Sequence, residues 1–325
     1  MRPLFVVVTL AAGVFAQGAP EALRGAGSIP LPRVEGRIDH LAADPAGGRV
    51  FVAALGNNTL EIVDVNGNSV TKSVPGFDEP QGIRYLPESR RIVVANGGNG
   101  AVMFLDGATF ALTQTVKLSG DADNVRYDAK SRRVYVGYGT GALSILDDGG
   151  KVLGNVKLAA HPESFQLEAS GPRIFVNVPS AGHIAVVDRD KQTVTATWPV
   201  TQARSNYPMA LDETNRRLFI GCRSPAKLLV YDTVTGRVVT SADIVGDTDD
   251  LFYDAAKKRI YVSGGEGFIT VVEQQDPDHY RTIGKVPTAA GARTALFVPE
   301  LSKLFLAVPH RGSQRAEIRV FSVAN

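Results

Sequence analysis

A short strand-like motif recurs seven times in this chain of 325 residues, at intervals of 40 to 44 residues. Each copy is a basic residue followed by three apolar residues, most of them β-branched or aromatic, which is typical of a β-strand. The copies begin at Arg49, Arg91, Arg133, Arg173, Arg217, Arg259 and Lys303. Repetition at this period indicates an array of equal structural units rather than one irregular core.

Each unit contains four strand-like segments separated by turns. In the unit around Arg133, we predict strands at Asn124–Tyr127, Arg133–Tyr138, Ala142–Leu146 and Val152–Leu158, with turns rich in Asp and Gly between them. The sequence has no sustained helical pattern of apolar residues, so helices should be rare. Four antiparallel strands in a repeat of about 40–45 residues are typical of propeller blades. We therefore predict an all-β fold, a seven-bladed β-propeller of four-stranded antiparallel blades.

We predict that a strand from the N-terminus closes the ring. The last unit has strand-like segments at Arg293–Phe297, Lys303–Val308 and Glu317–Val323, which leaves it one strand short. The segment Ile29–Glu35 precedes the first unit and has no unit of its own. We expect it to supply the missing outer strand, because pairing there removes an open sheet edge. Residues 29–325 would then form a single propeller domain.

The N-terminus has the features of a signal peptide over residues 1–16. Arg2 is followed by the apolar stretch Leu4–Phe15, and Val14-Phe15-Ala16 fits a cleavage site before Gln17. Residues 17–28 would follow as a flexible segment. We expect secretion, into a bacterial periplasm, and no membrane span in the mature protein, because no other apolar run approaches the necessary length.

Composition argues against several classes of function. The chain has 35 Lys and Arg residues against 33 Asp and Glu residues. This near-neutral balance offers little gain from counterion release, so a nucleic-acid partner is disfavoured. The single cysteine, Cys222, excludes an internal disulfide, a Cys-x-x-Cys zinc site and a Cys-x-x-Cys-His haem attachment.

The repeated strand has a recurrent continuation. About 10 residues after it, two apolar residues precede an aspartate in five units, at Asp64, Asp106, Asp147, Asp188 and Asp232. This combination resembles the YVTN-type propeller repeats of lactonase-like and surface-layer-like proteins, over residues 37–323. Units six and seven depart from it, with Glu273 and with Phe321-Ser-Val at this place. The resemblance implies a seven-bladed propeller but little about activity, because propellers serve as scaffolds, binders and enzymes.

Alignment of the units on their basic residues separates framework from candidate function. Eight residues upstream every unit has an apolar residue, which predicts the core between blades. Ten residues upstream the types differ between units: Asp39, Gln81, Asp123, Glu163, Tyr207, Asp249 and Arg293. Nine residues upstream the polar types include His40, Asn124 and Asp250, and loops on the same face add His161, Arg204, Arg223 and His310. The repeat demands no polar residue there, so these are the candidate ligand-binding residues around the central channel.

Three functions fit these residues. The first is a binding or scaffold protein that uses the channel face for a small molecule, a peptide or a protein partner. The second is a lactonase- or lyase-like enzyme acting on an anionic or sugar-acid substrate, which the likeness to seven-bladed lactonases implies. Its acid, base and anion-holding groups would be His161, Glu163, His40 and Arg293. The third is an oxidoreductase subunit, which the missing haem motif disfavours. The alternative to all three is that the polar ring is solvated and binds no ligand.

The same residues bear on cofactors. Asp39, Asp123, Glu163 and Asp249 would place four carboxylates around one channel, and oxygen ligands suit Ca²⁺. Carboxylates on opposite sides of the channel would be too far apart to share one ion. No cofactor is therefore required, and Ca²⁺ is the one cation retained as an alternative. The sequence has no ligand pattern typical of a transition-metal site.

Overall fold

The computed structural model of the protein describes residues 22–324. The predicted signal peptide, residues 1–16, lies outside the described residues. Residues 22–324 form seven four-stranded antiparallel sheets, which confirms the prediction of a seven-bladed, all-β propeller. In this part of the chain the helices are three short 3₁₀ helices, at Leu55–Asn57, Pro179–Ala181 and Pro299–Leu301. None of them is long and apolar enough to cross a membrane.

The strands follow the repeat, four to a blade. Strand β1 (Leu23–Pro30) precedes the first blade in the chain. Blade 1 contains β2 (Leu41–Asp44), β3 (Arg49–Ala54), β4 (Thr59–Asp64) and β5 (Ser69–Pro75), and blade 2 contains β6 (Pro80–Leu86), β7 (Arg91–Asn96), β8 (Ala101–Asp106) and β9 (Leu112–Lys117). Blade 3 contains β10 (Ala122–Asp128), β11 (Arg133–Tyr138), β12 (Ala142–Asp147) and β13 (Val152–Lys157). These last four strands agree with their predicted bounds to within two residues.

The remaining blades repeat this pattern. Blade 4 contains β14 (Phe165–Leu167), β15 (Arg173–Val178), β16 (His183–Asp188) and β17 (Thr193–Pro199), and blade 5 contains β18 (Arg204–Asp212), β19 (Arg217–Ser224), β20 (Ala226–Asp232) and β21 (Val238–Asp243). Blade 6 contains β22 (Thr248–Asp254), β23 (Arg259–Gly264), β24 (Phe268–Gln274) and β25 (Tyr280–Pro287). Blade 7 contains β26 (Ala295–Val298), β27 (Lys303–Val308), β28 (Glu317–Val323) and the distant β1.

The inner strands β2, β6, β10, β14, β18, β22 and β26 contact one another in a closed cycle. Apolar side chains fill the space between neighbouring blades, as Phe51 of blade 1 does with Ile92 and Leu105 of blade 2. The predicted core position, eight residues before each repeated basic residue, is buried in all seven blades. Since each blade buries its apolar faces only against its neighbours, the blades depend on one another for stability.

Closure by an N-terminal strand is confirmed, but its predicted position, Ile29–Glu35, is wrong. Strand β1 pairs with β28 from Leu23 opposite Val323 to Pro30 opposite Glu317, so it begins six residues earlier than predicted. Residues 23–28, which we expected to be flexible, belong to this strand. The segment reads LRGAGSIP and buries only Leu23 and Ile29. Its small, exposed residues give little strand signal in the sequence.

The repeated arginines join neighbouring blades. Arg49 donates a hydrogen bond to the Gly107 carbonyl of the next blade at 2.7 Å, and Arg91 does the same to Asp148 at 2.9 Å. Corresponding bonds run from Arg173 to Thr233, from Arg217 to Pro277 and from Arg259 to Ala324. These contacts give a structural reason for an arginine at the start of these second strands.

The repeated aspartates stabilise their own turns, as predicted. The residues concerned are Asp64, Asp106, Asp147, Asp188 and Asp232, and each accepts hydrogen bonds from backbone N–H groups two to four residues later. For Asp232 the donors are Val234 at 3.0 Å and Thr235 at 2.8 Å. These carboxylates therefore belong to the framework.

Candidate functional site

The candidate residues gather at one end of the central channel, where the inner strands begin. We call this end the mouth and define it by nine residues from six blades: Asp39, His40, Asp123, Glu163, Tyr207, Arg223, Asp249, Asp250 and Arg293. The His40 ring and the Asp250 carboxylate lie 3.4 Å apart although 210 residues separate them in sequence. Ring closure therefore brings non-repeating side chains from distant units to one place.

Two arginines bind one carboxylate on one side of the mouth. The Asp249 carboxylate lies 2.6 Å from Arg223 Nη2 and 2.9 Å from Arg293 Nε. The Arg223 guanidinium also lies over the Tyr207 ring, 3.8 Å from its centroid, and Arg293 makes a second ion pair with Asp247 at 3.0 Å. Burial and the Asp39 carboxylate raise the pKa of Asp249, while Arg223 and Arg293 oppose this shift. These arginines already have carboxylate partners.

His40 lies between two carboxylates. Its Nε2 is 3.6 Å from Asp39, and its Nδ1 is 3.4 Å from Asp250. Burial alone would lower the pKa of His40, but the charges of Asp250, Asp39 and Asp123 outweigh it and raise the pKa well above the ordinary value. These carboxylates therefore favour the protonated form of His40, which makes it a weaker candidate for a general base.

Glu163 and Asp123 form the opposite, acidic side of the mouth. Burial, followed by the charges of Asp123 and Asp249, raises the pKa of Glu163 to about 9. Burial also raises the pKa of Asp123, to about 6. Within residues 22–324 the Glu163 carboxyl group has no hydrogen-bond or ion-pair partner, and Asp123 accepts one hydrogen bond, from Asn124 at 3.1 Å. With its pKa of about 9, Glu163 is protonated at neutral pH, mainly because it is buried, and the charges of Arg223 and His40 only partly oppose the shift.

His161 lies at the rim of the acidic side. Its Nδ1 is 2.6 Å from the Gly139 carbonyl, so Nδ1 carries a proton and donates. Its Nε2 is directed to Asp123 at 4.0 Å. The neighbouring Asp121 lies 3.6 Å from His161 and accepts a hydrogen bond from Gln81 at 3.4 Å. Gln81 and His161 therefore lie beside the nine residues that define the mouth.

Two predicted residues make no contact with the mouth. His310 forms an ion pair with Glu35 at 2.8 Å, in the segment after β1. Arg204 is exposed at the start of β18, and within the described chain it has no hydrogen bond or ion pair with a mouth residue. Asn124 is buried beside Asp123, and its Oδ1 has no partner in residues 22–324. The roles of all these residues in ligand binding stay predictions.

The carboxylates of the mouth do not converge as a metal centre would. Within residues 22–324, no group of three or more His, Cys, Asp or Glu side chains is arranged to hold a metal ion. The Cys222 thiol is buried, and burial raises its pKa to about 12, so it is not a thiolate ligand at neutral pH.

Sequence reasoning missed two arginines below the mouth. Arg84 and Arg126 lie seven residues before the repeated arginines of blades 2 and 3, and both line the channel. The other five units have Ala, Gln, Ala, Phe and Leu at this position. The alignment that identified the mouth ended eight residues upstream, and one residue further along the inner strand it would have found them.

Comparison with known proteins identifies the fold and no family. No family model matches the chain, and no curated protein matches it. A chain of a mitotic checkpoint complex has a TM-score of 0.78 at 12% identity, with both chains fully covered. Hydrazine synthase of Kuenenia stuttgartiensis has a TM-score of 0.75 at 14% identity, with 90% of this chain and 96% of that chain covered.

A third solved structure, the WD40 repeats of RRP9, has a TM-score of 0.80 at 8% identity, and the match covers 94% of this chain and 99% of that chain. At such low identities the likeness concerns the fold alone. The resemblance to YVTN-type repeats stays a prediction. What the comparisons and the structure show together is a seven-bladed β-propeller.

Proposed function

We propose that this protein is an exported propeller whose mouth binds a ligand through an ammonium or guanidinium group. The group belongs either to a small amine or to a basic side chain of a peptide or protein partner. A binding role is consistent with the fold, since one of the solved structures that share it is a chain of a mitotic checkpoint complex. The proposal rests on the mouth rather than on that likeness.

The observation that supports the proposal most is that, within residues 22–324, Glu163 has no cationic partner and Asp123 has only His161, at 4.0 Å. Both carboxyl groups have raised pKa values because burial and like charges disfavour their ionised forms. The arginines of the mouth bond to Asp249 instead. An incoming cation would relieve this repulsion and gain two charge-assisted hydrogen bonds. The acidic side of the mouth is therefore prepared for a positive group.

Isothermal titration calorimetry on the mature protein tests the proposal with two probes, putrescine and the peptide Gly-Arg-Gly. We expect at least one probe to bind the wild type and to bind at least tenfold more weakly to the Glu163→Gln, Asp123→Asn double variant. Binding of the peptide alone would identify a basic side chain of a partner as the ligand group. Ca²⁺ is titrated in parallel, as the alternative cation.

The control is Glu79→Gln, which removes an exposed carboxylate outside the mouth. It should leave the affinity unchanged. Failure of both probes to bind, or equal binding by the double variant, would contradict the proposal. Export is tested separately, by N-terminal sequencing of the natural product, which should begin at Gln17.

A second function is favoured by the same pair of carboxyl groups. Glu163 has a pKa of about 9 and Asp123 a pKa of about 6, and two neighbouring acids with separated pKa values can divide the roles of general acid and general base. A lactonase- or lyase-like reaction would use Glu163 as the acid, with Arg293 facing the anionic part of the substrate. Turnover in a panel of lactones and sugar acids, lost in Glu163→Gln, would support this alternative.

A further inference from the structure

Two arginines occupy equivalent positions on neighbouring inner strands. Arg84 lies on β6 and Arg126 on β10, each seven residues before the arginine that begins the next strand. Strands β6 and β10 are in contact, so the two side chains belong to adjacent walls of the channel. The five neutral residues at this position in the other blades show that the repeat does not require a charge here.

Neither arginine has a carboxylate partner. Arg84 makes no hydrogen bond or ion pair within residues 22–324, and its side chain is exposed to the channel. Arg126 donates to the Ser164 hydroxyl and to the Val125 carbonyl, each at 3.0 Å. Its guanidinium has five N–H groups, so donors remain after these two bonds.

The carboxylates whose charges act on Arg126 are Asp250 and Asp123, and both are bonded elsewhere. Those that act on Arg84 are the exposed Glu300 and Glu88, and neither forms an ion pair with it within residues 22–324. Asp250 accepts a hydrogen bond from the Ala295 amide at 2.8 Å and lies beside His40. Asp123 accepts one from Asn124. Burial, followed by the positive charge of Arg84, lowers the pKa of Arg126 to about 10, which still leaves it charged at neutral pH. Two like charges thus face one space, and the Asp250 carboxylate that also lines it forms no ion pair with either arginine within residues 22–324.

That space is a cavity of about 420 Å³ in the channel, within the range of small-molecule sites. Its walls combine apolar residues such as Ile83, Leu251 and Leu296 with polar ones, among them Ser164, Gln166 and, from the mouth, His40 and Asp250. Gln166 donates to the Met209 carbonyl at 2.8 Å, which orients its side chain.

We propose that the channel below the mouth binds a small oxyanion, a carboxylate or phosphate group on a compact body, between Arg84 and Arg126. The planar fork of a guanidinium matches both kinds of oxyanion, and two forks on adjacent strands approach it from two directions. Arg126 is held in place by Ser164, and Arg84 is free to close on the ligand. The cavity reaches His40 and Asp250 of the mouth, but Glu163 and Asp123, which would receive the cation, are not among its lining residues.

Calorimetric titration of the mature protein with succinate and with inorganic phosphate tests this site and distinguishes the two oxyanions. We expect at least one of them to bind the wild type and to bind Arg84→Gln at least tenfold more weakly. Arg84→Lys should recover part of the affinity, because it restores the charge without the fork. Arg126→Gln should also weaken binding.

The matched control is Arg90→Gln, which removes an exposed arginine of the same blade outside the channel. It should bind the anion as the wild type does. Because Arg84 makes no bond in residues 22–324, Arg84→Gln should melt at the wild-type temperature without anion and should still bind the cationic probe of the mouth. Absence of anion binding to the wild type, or equal loss in Arg84→Gln and Arg90→Gln, would overturn the proposal.

Discussion

Aspartates and glutamates occur in this propeller in two contrasting settings. At the turns after the third strands, Asp188 and Asp232 accept hydrogen bonds from backbone N–H groups, and these bonds lower their pKa values. In the mouth, Asp123 and Glu163 are surrounded by protein and by like charges, which raise their pKa values. The first group recurs from blade to blade, and the second occurs once.

The contrast separates carboxylates that stabilise the fold from carboxyl groups that the fold does not require. A carboxylate bonded by its own turn stabilises the folded state, so it recurs wherever the turn recurs. A buried carboxyl group without a partner lowers the stability of the folded state, and one copy in every blade would lower it further. Groups of the second kind persist in marginally stable proteins mainly where they serve a function. Removal of framework residues should therefore destabilise the protein, while neutralisation of Glu163 in the mouth should stabilise it.

The largest expected effect concerns the closing strand, which belongs only to the framework. Deletion of residues 22–30 exposes the edge of β28 and removes the buried side chains of Leu23 and Ile29. We expect a loss on the order of 5 kcal/mol in the free energy of unfolding, measured by urea denaturation. Ser28→Ala, at an exposed position of the same strand, should leave stability unchanged. A deletion variant with wild-type stability would show that the ring closes without β1.

The next effect is the loss of a turn carboxylate. Asp232→Ala removes two backbone hydrogen bonds and the ion pair with Arg217 at 2.8 Å. We expect the free energy of unfolding to fall by about 2–3 kcal/mol. The exposed Asp190, which has no side-chain bond within residues 22–324, gives the control Asp190→Ala, with a change near zero. Equal effects of the two variants would remove the distinction between framework and surface carboxylates.

Neutralisation of the mouth should act in the opposite direction. The folded-state pKa of Glu163, about 9, lies above its unfolded value, so between about pH 4.3 and pH 9 the folded protein binds more protons than the unfolded chain. Stability should therefore fall as pH rises through this window. Asp123 and His40, whose pKa values are also raised, act in the same direction.

Glu163→Gln removes the largest of these contributions. At pH 8 we expect it to raise the free energy of unfolding by about 2 kcal/mol and to flatten the pH dependence of the melting temperature. Glu79→Gln should change neither the free energy of unfolding nor the pH dependence of the melting temperature. Destabilisation by Glu163→Gln at pH 8 would mean that the ionised Glu163 has a partner in the folded protein.

The smallest effect concerns one bond between blades. Arg91→Met keeps much of the side-chain volume but removes the hydrogen bond to the Asp148 carbonyl. We expect a loss of about 1 kcal/mol in the free energy of unfolding. Arg90→Met, at the adjacent exposed position, is the control. A loss no larger than that of the control would leave the repetition of these arginines without a structural reason.

Repetition explains which features of the propeller could be predicted from the sequence. The blades and their core follow from a motif that occurs seven times, and the mouth was found where the motif changes. The partners of Asp249 could not be predicted, because they depend on how far Arg223 and Arg293 extend from different blades. His310 and Arg204 share the predicted face, but face alone does not fix where a side chain points. Strand β1 was misplaced because its residues carry little strand preference.

Proton release on ligand binding is the sharpest test of the role of Glu163 in the mouth. If a cation binds beside protonated Glu163, it lowers the pKa of that group, so binding at pH 7.5 should release up to about one proton per ligand. Calorimetry with putrescine in two buffers of different ionisation enthalpy measures this number. We predict proton release by the wild type and none by Glu163→Gln. Binding without proton release, or equal release by the variant, would contradict the assignment of Glu163 as the neutral acid that receives the ligand.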